Sequence, residues 1–460
     1  MVQRLVVVVT GANSGVGFGV CHRLLVQLSA LSPPDAQPYF APSNVSTSSP
    51  RANAPQSSPT GDHMLTPRAD LTIIMACRDA TRADAARAKL YALLDKHITN
   101  LQPGSEEHQY ATAFRSSVKL ELEILDLASM ESVLDFGRNV AKKYTNISHL
   151  ILNAGTATYS HFDYLLYQYD LMRYPTLTVT HPRANIQKTG VLSKDNLGYA
   201  WQCNVFGHYC VYRSLQPLLA AYARSSGRPA RVIWMSSMDA MPSFDPVDDW
   251  QLTKTQHSYE GSKYQAEAIA AELENLGVQA REGNVQSPVP DFVSKDSEVR
   301  HLISGPGVVP TNMMSLLNIK LPGYRAGTTA VFWLTRLLGC KHIHMSVYNA
   351  AVATVHLALV PLESIPTAYT APYILPTDTK YPPWHPYRNL ETDLVQTLRF
   401  GSRSDRWGNE YPGITAVPVW EEHPDIGKKL LDKFERLYAT FLTAMPEATS
   451  SIVNGDSESS

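Results

Sequence analysis

Short, wholly apolar runs that stop at glycine or polar residues alternate along this chain with longer stretches whose apolar positions recur every three to four residues. The first run, Leu5-Val6-Val7-Val8-Val9, has strand length and ends in a glycine-rich turn. Residues 15 to about 31 follow with Val16, Val20, Leu24 and Leu28 near a period of 3.6, which predicts a helix. The same reading gives a strand over 71–75, a helix over 80–97, then a polar loop to about 117. It continues with a strand over 120–125, a helix over 129–143 and a strand over 149–152. Residues 157–197 read as an irregular insertion holding aromatic and apolar residues. Beyond it come a helix over 198–224, a strand over 231–235, a helix over 258–276, a loop over 277–299 and a strand over 301–304. Strands alternating with helices predict an α/β fold, a doubly wound parallel sheet with its ligands at the carboxyl ends of the strands.

The rest of the chain departs from this rhythm. Residues 32–69 are rich in Pro, Ser, Ala and Asn, a composition that buries too little apolar surface to offset chain entropy, so a disordered or loosely packed insertion is expected. The core is placed at 1–312, an extension at 313–445 and a disordered tail at 446–460. Residues 326–360 are mostly apolar but are broken by Arg336, Lys341, His342 and His344. A membrane-spanning helix needs about 20 largely apolar residues in a row, and neither half qualifies. Two short helices on a membrane surface, helices lining a lipophilic pocket, and plain core helices all fit. Residues 426–442 predict an amphipathic helix, and Arg406 with Trp407 is expected to anchor the tail to the core.

Charge and cysteines narrow the function class. The net charge is -2, with 18% charged residues and no long block of one sign, which excludes a nucleic-acid binder driven by phosphate neutralisation. The five cysteines are scattered without a C-x-x-C spacing, so neither a zinc site nor a disulfide framework is expected, and a reducing compartment fits. The first apolar run passes straight into a turn instead of a cleavage site, which reads as the first strand of a cytosol-facing domain.

The candidate chemistry lies at the predicted strand ends. In Thr10-Gly11-Ala12-Asn13-Ser14-Gly15-Val16-Gly17 the glycines allow a pyrophosphate to approach the backbone at a positive helix N-terminus. Far downstream, Tyr259 and Lys263 stand four residues apart, with a phenol and an ammonium on one helix face. Together, in this order, the two motifs suggest a nicotinamide enzyme that moves a proton beside a hydride. Arg78, after the second strand, offers a fork of donors suited to a 2'-phosphate, with Arg82 one turn on and Asp79 acting against it.

These motifs resemble the short-chain dehydrogenase/reductase family over about residues 4–312, which implies a Rossmann-type sheet with long insertions and a helical C-terminal extension. The turn at Thr10, Gly11, Asn13, Ser14, Gly15, Val16 and Gly17 matches the family's cofactor turn. Asp126 matches the acid that bonds the adenine amine, and Asn153-Ala154-Gly155 the N-A-G motif. Thr311, closing Pro306-Gly307-Val308-Val309-Pro310-Thr311, matches the residue holding the nicotinamide carboxamide. By the same resemblance Tyr259 is the general acid, Lys263 the cation that eases its ionisation, Ser237 the carbonyl-polarising hydroxyl with Ser236 as the alternative, and Asn204 the holder of a relay water. Tyr259 follows Ser237 by 22 residues, more than in most of the family, so residues 241–256 must loop out.

The segment 257–263, the stretch 401–411 and the long extension are similar to fungal 3-keto-steroid reductases. That likeness implies NADPH-dependent reduction of a 3-keto sterol to the 3β-alcohol during C4 demethylation in ergosterol biosynthesis. It further implies a membrane surface at the cytosolic face of the endoplasmic reticulum or on lipid droplets, neighbouring C4-demethylation enzymes as partners, and a homo-oligomer. The competing expectations are a reductase of another lipophilic ketone (a 17-keto steroid, retinoid or polyketide) and a cofactor-binding scaffold for sterol enzymes.

Overall fold

A computed structural model of the protein describes residues 4–40, 70–282, 298–310, 324–367 and 395–445. Thr311, residues 41–69 of the expected insertion and the tail 446–460 lie outside the described residues. The strands are β1 Arg4–Thr10, β2 Asp70–Cys77, β3 Lys119–Ile124, β4 His149–Leu152, β5 Tyr159–Phe162, β6 Asn185–Gln187, β7 Ala230–Met235, β8 Val299–Gly305, β9 Val395–Ser404 and β10 Glu410–Pro418. Eight of them form one sheet in the order β10-β9-β8-β7-β4-β1-β2-β3. All neighbours run parallel except β9 and β10. Helices cover both faces, so the central strands are buried on both sides and read as near-continuous apolar runs. Strand order reverses between β1 and β4, and that crevice is where a doubly wound sheet receives its ligand.

The predicted core elements all appear, with ends shifted by a few residues. Several expectations need correction. Residues 106–117, expected as polar loop, form the helix Glu106–Ser117. Ser105 caps it by accepting from the His108 amide, Glu106 and Glu107 favour its positive end, and Ala111 and Phe114 bury its inner face. The head of the expected loose insertion, residues 32–40, is packed instead. Asp35 is buried against the Arg23 guanidinium, and Phe40 packs edge-on against His356 and at a tilt against Phe400. The extension carries the expected helices, Tyr324–Leu337, Val352–Leu359 and Ile426–Ala444, and it also contributes two strands. Strands β9 and β10 complete the core sheet, and the helix Val352–Leu359 is buried throughout beside them. Trp407 is 81% exposed at the β9–β10 turn, so it does not anchor anything.

The insertion 157–197 holds the hairpin β5–β6 and the helices Tyr164–Arg173 and Pro175–Thr180. Val179 from this lobe packs with Phe332 of the helix Tyr324–Leu337 and with Ile343. The two segments thereby make one lobe above the carboxyl ends of β7 and β8. Among the described residues no helix is long and apolar enough to cross a membrane.

Candidate active site

The turn after β1 is built to admit an anion. Gly11 has φ +68°, a conformation natural to glycine, and its amide donates to the Ala76 carbonyl at 2.8 Å. A Cβ on Gly17 would stand 2.5 Å from both the Gly11 carbonyl oxygen and Asn153 Nδ2, so only glycine lets the helix Gly15–Leu28 start this close to the turn. Ser14 precedes that helix without making a side-chain cap, which leaves the first helical amides facing outward for a ligand. Asn153 ties the end of β4 to the turn, its Nδ2 donating to the Thr10 carbonyl at 2.9 Å.

Thr10 carries the connection inward. Its Oγ1 accepts from the Asn153 and Ala154 amides, both at 2.9 Å, so its own proton points to His208 Nε2 at 3.0 Å. His208 must then carry its hydrogen on Nδ1, which donates to the Asn204 carbonyl at 3.0 Å. Burial holds His208 down at about 3, so this neutral tautomer persists at any physiological pH.

At the adenosine side, Arg78 and Arg82 are exposed beyond β2. Asp79 is engaged locally: it caps the helix Ala80–Thr99 by accepting from the Arg82 amide at 3.0 Å and lies 3.7 Å from the Arg82 guanidinium. The carboxylate that weighed against a 2'-phosphate is thus spent on a helix cap, and Arg78 stands clear of it. Asp126 turns one oxygen to the Ala128 amide at 3.1 Å and holds the other 3.7 Å from Lys194.

The residues expected to carry proton transfer converge from three elements. Tyr259 and Lys263 share one face at the start of the helix Ser258–Glu282. Ser237 follows β7 beside the Tyr259 phenol and lowers its pKa against the effect of burial. Ser236 faces away and donates to the buried Glu267 carboxylate, so geometry selects Ser237 of the two. Asn204 sits in a π-turn, Gln202–Phe206, of the kind often found at functional sites. Its Oδ1 accepts from the Thr156 amide at 2.8 Å, while Nδ2 donates to the Thr156 carbonyl at 2.8 Å and to Ser262 Oγ at 2.9 Å. It braces the loop after β4 beside Lys263. The segment 241–256 does loop out, and Phe244 and Leu252 from it close over Gly261 of the helix Ser258–Glu282.

Electrostatics differ from expectation at one point. Burial pushes the Tyr259 phenol well above its ordinary value, the Ser237 side chain pulls it back, and Asp239 with Glu260 pushes it further up. Lys263 is instead lowered by burial to about 8, with Glu267 opposing, and its ammonium donates to the Met235 carbonyl at 2.9 Å. The phenol is thus a fully protonated acid at rest, and the lysine is cationic at neutral pH. Burial raises Asp239 to about 8.

Sequence reasoning overlooked three supporting residues. Gln187 on β6 accepts from Ser258 Oγ at 3.0 Å and the Tyr259 amide at 2.9 Å, and donates to Glu260 at 2.6 Å. Glu267, one turn beyond Lys263, was visible as an i+4 neighbour on the same face. Arg399 gave no signal, because it reaches the site only through the pairing of β9 with β8. A small cavity of about 20 Å³ lies beside Arg399, bordered by His181, Met238, Gly307 and His342.

No family model matches the chain. Curated relatives do. The 3-keto-steroid reductase of Kluyveromyces lactis is 26% identical over 362 residues, covering 78% of this chain and 81% of that protein. That of Aspergillus fumigatus is 25% identical over 448 residues, covering 93% and 85%. That of Debaryomyces hansenii is 30% identical over 267 residues, covering 57% and 68%. With the glycine turn, the Ser237–Tyr259–Lys263 constellation and these relatives together, the chain belongs to the short-chain dehydrogenase/reductase family and is similar to the fungal 3-keto-steroid reductases.

Proposed function

We propose that this protein reduces a 3-keto sterol to the 3β-alcohol with NADPH. The carrying observation is the convergence of Ser237, Tyr259 and Lys263 at the carboxyl end of β7, in a chain whose relatives are named 3-keto-steroid reductases. NADPH, when bound, supplies the hydride. The chain does the rest. Ser237 donates a hydrogen bond to the substrate carbonyl and orients it. Tyr259 gives its phenolic proton to the oxygen as negative charge develops there. Lys263 stabilises the resulting phenolate, and Asn204 keeps the loop after β4 in register with Lys263. The outward helix amides after Ser14 take the pyrophosphate, and Arg78 takes the 2'-phosphate that distinguishes NADPH from NADH.

The substrate's lipophilicity suits the lobe above the site. Leu165 and Met172 of one helix and Trp333, Leu334 and Leu338 at another are 86%, 81%, 47%, 59% and 56% exposed. Arg336 lies 4.6 Å from the Trp333 ring centre, and Arg406 approaches Gly339. Exposed apolar side chains and a tryptophan, with the exposed Arg406 nearby, match a membrane interface; Arg336 is buried beneath the Trp333 ring. We propose attachment through this face to a membrane surface, with the endoplasmic reticulum or lipid droplets and neighbouring C4-demethylation enzymes as what the likeness to the reductases implies.

The deciding experiment follows NADPH oxidation by the purified protein with a detergent-solubilised 3-keto sterol, with NADH and Tyr259→Phe in parallel. Turnover with NADPH that falls by roughly 10²–10⁴-fold in Tyr259→Phe is expected. NADPH binding without turnover of the sterol, while other lipophilic ketones are reduced, would reassign the substrate. Binding with no turnover of any ketone would leave a scaffold.

A further inference from the structure

Three consecutive residues leaving β7 are each pinned by a different buried side chain. The Met235 carbonyl accepts from Lys263 Nζ at 2.9 Å. Ser236 Oγ donates to Glu267. The Ser237 carbonyl accepts from Arg399 Nη1 at 2.7 Å. That same nitrogen lies 2.8 Å from Glu267 Oε1, so one guanidinium joins the backbone of the proposed carbonyl-polarising serine to the carboxylate one turn beyond Lys263. Glu267 is 2% exposed and Arg399 8%.

An ion pair this dry gains little net stability, because desolvating both charges cancels most of their attraction. Its directional contacts are another matter. Arg399 cannot move without releasing the Ser237 backbone, and Glu267 cannot move without releasing Ser236. We propose that the Arg399–Glu267 pair is a positioning device for proton transfer: it fixes the Ser236–Ser237 turn so that Ser237 meets Tyr259, and it places a carboxylate where it sustains the charge on Lys263. The inference rests on the reductase reading and names two residues that act through Ser237 and Lys263 without touching substrate.

The groups around Lys263 make the charge argument specific. On its own helix it faces Glu267, with Tyr259 one turn earlier. From the helix Gly207–Ser226 it faces His208, which is neutral, and from β7 the Met235 carbonyl. Arg399 from β9 lies on the far side of Glu267, while Asp239 and Glu260 act on Tyr259. Glu267 is therefore the carboxylate that opposes the loss of the Lys263 proton on burial. Lys263 must be protonated to stabilise the phenolate, so kcat/KM should fall as pH rises through about 8. Removing the Glu267 charge moves that fall to lower pH.

The test uses the full chain carrying Glu267→Gln, Arg399→Lys or Arg399→Met. In Glu267→Gln, which keeps shape and hydrogen-bonding capacity, the alkaline limb of kcat/KM should shift down by about one pH unit. Arg399→Met should lower kcat about tenfold or more with an unchanged NADPH dissociation constant, and Arg399→Lys should recover part of the loss. A separate readout needs no substrate: the 13C resonances of labelled lysine, with Lys263 assigned by its absence in Lys263→Arg, titrate at lower pH in Glu267→Gln. An unmoved Lys263 titration and an unmoved alkaline limb overturn the charge role. An Arg399→Met protein with wild-type kcat and only a lowered Tm overturns the positioning role. If Arg399→Met does not fold, Arg399→Lys and Glu267→Gln carry the decision. Should the wild type reduce no 3-keto sterol, the functional reading fails, while the Lys263 titration still tests the pair.

Discussion

Arg78 shows how a neighbouring residue decides a side chain's meaning. In sequence it sits beside Asp79, and the two point to opposite cofactors. The fold separates them by giving the carboxylate to a helix cap. Arg78→Ala should therefore weaken NADPH binding by roughly 10- to 100-fold, the worth of charge-assisted hydrogen bonds to a phosphate, and leave NADH almost untouched. Equal losses for both dinucleotides in fluorescence titrations would remove Arg78 from the phosphate site. Tyr259 and Lys263 were legible because their four-residue spacing puts both on one helix face and the glycine turn stands upstream of them. Which of Ser236 and Ser237 joins them was not, since strand alternation sends one to each side and only the surrounding packing says which side holds the phenol.

Among the elements, the hairpin β5–β6 is the clearest gain over the sequence. Its segment read as irregular because its aromatic and polar residues carry no clean period. In the structure, Gln187 at its end anchors the first turn of the catalytic helix through three hydrogen bonds. Gln187→Ala should cost about 1–3 kcal/mol of stability in urea unfolding, the price of leaving buried partners unmet, and should lower kcat more than it weakens NADPH binding. An unaltered kcat in a folded variant would make the hairpin a cover and no more. Strand β9 escaped notice for a related reason. Val395–Ser404 interleaves apolar residues with Arg399, Ser402 and Arg403, and reads as a polar segment until β8 pairs beside it.

At the scale of the whole molecule, two features shape how the protein meets its surroundings. Burial holds His149, His208 and His301 near about 3 and His181 and His344 near about 4, against an ordinary 6.5. Below pH 6.5 the unfolded chain takes up protons that these five sites refuse, so stability falls as pH falls, by up to about 1.4 kcal/mol per pH unit for each site. Asp239, raised to about 8, and Glu267 and Glu272, both raised by burial, work in the opposite direction and offset part of this. Scanning calorimetry should show Tm dropping by roughly 10 °C or more between pH 7 and pH 5. A flat profile would mean that these histidines gain protons without opening the core. The second feature is the apolar face at Trp333, Leu334 and Leu338. Replacing Trp333 and Leu338 by Asp should reduce co-sedimentation with anionic phosphatidylserine vesicles about tenfold or more, with solution NADPH binding unchanged. Undiminished co-sedimentation would place the membrane contact elsewhere.

The sequence by itself determined the parallel sheet as far as β8, the glycine turn and the Tyr259–Lys263 pair. Each is written in local periodicity: buried strands in unbroken apolar runs, a helix face in four-residue spacing, a phosphate turn in glycines. Tertiary structure alone decided that Asp79 caps a helix, that Ser237 and not Ser236 meets the phenol, and that β9 brings Arg399 to Glu267 from 132 positions away. Those outcomes depend on which groups are desolvated together. A charged or polar side chain carries no periodic mark of the partner that will satisfy it once both are buried.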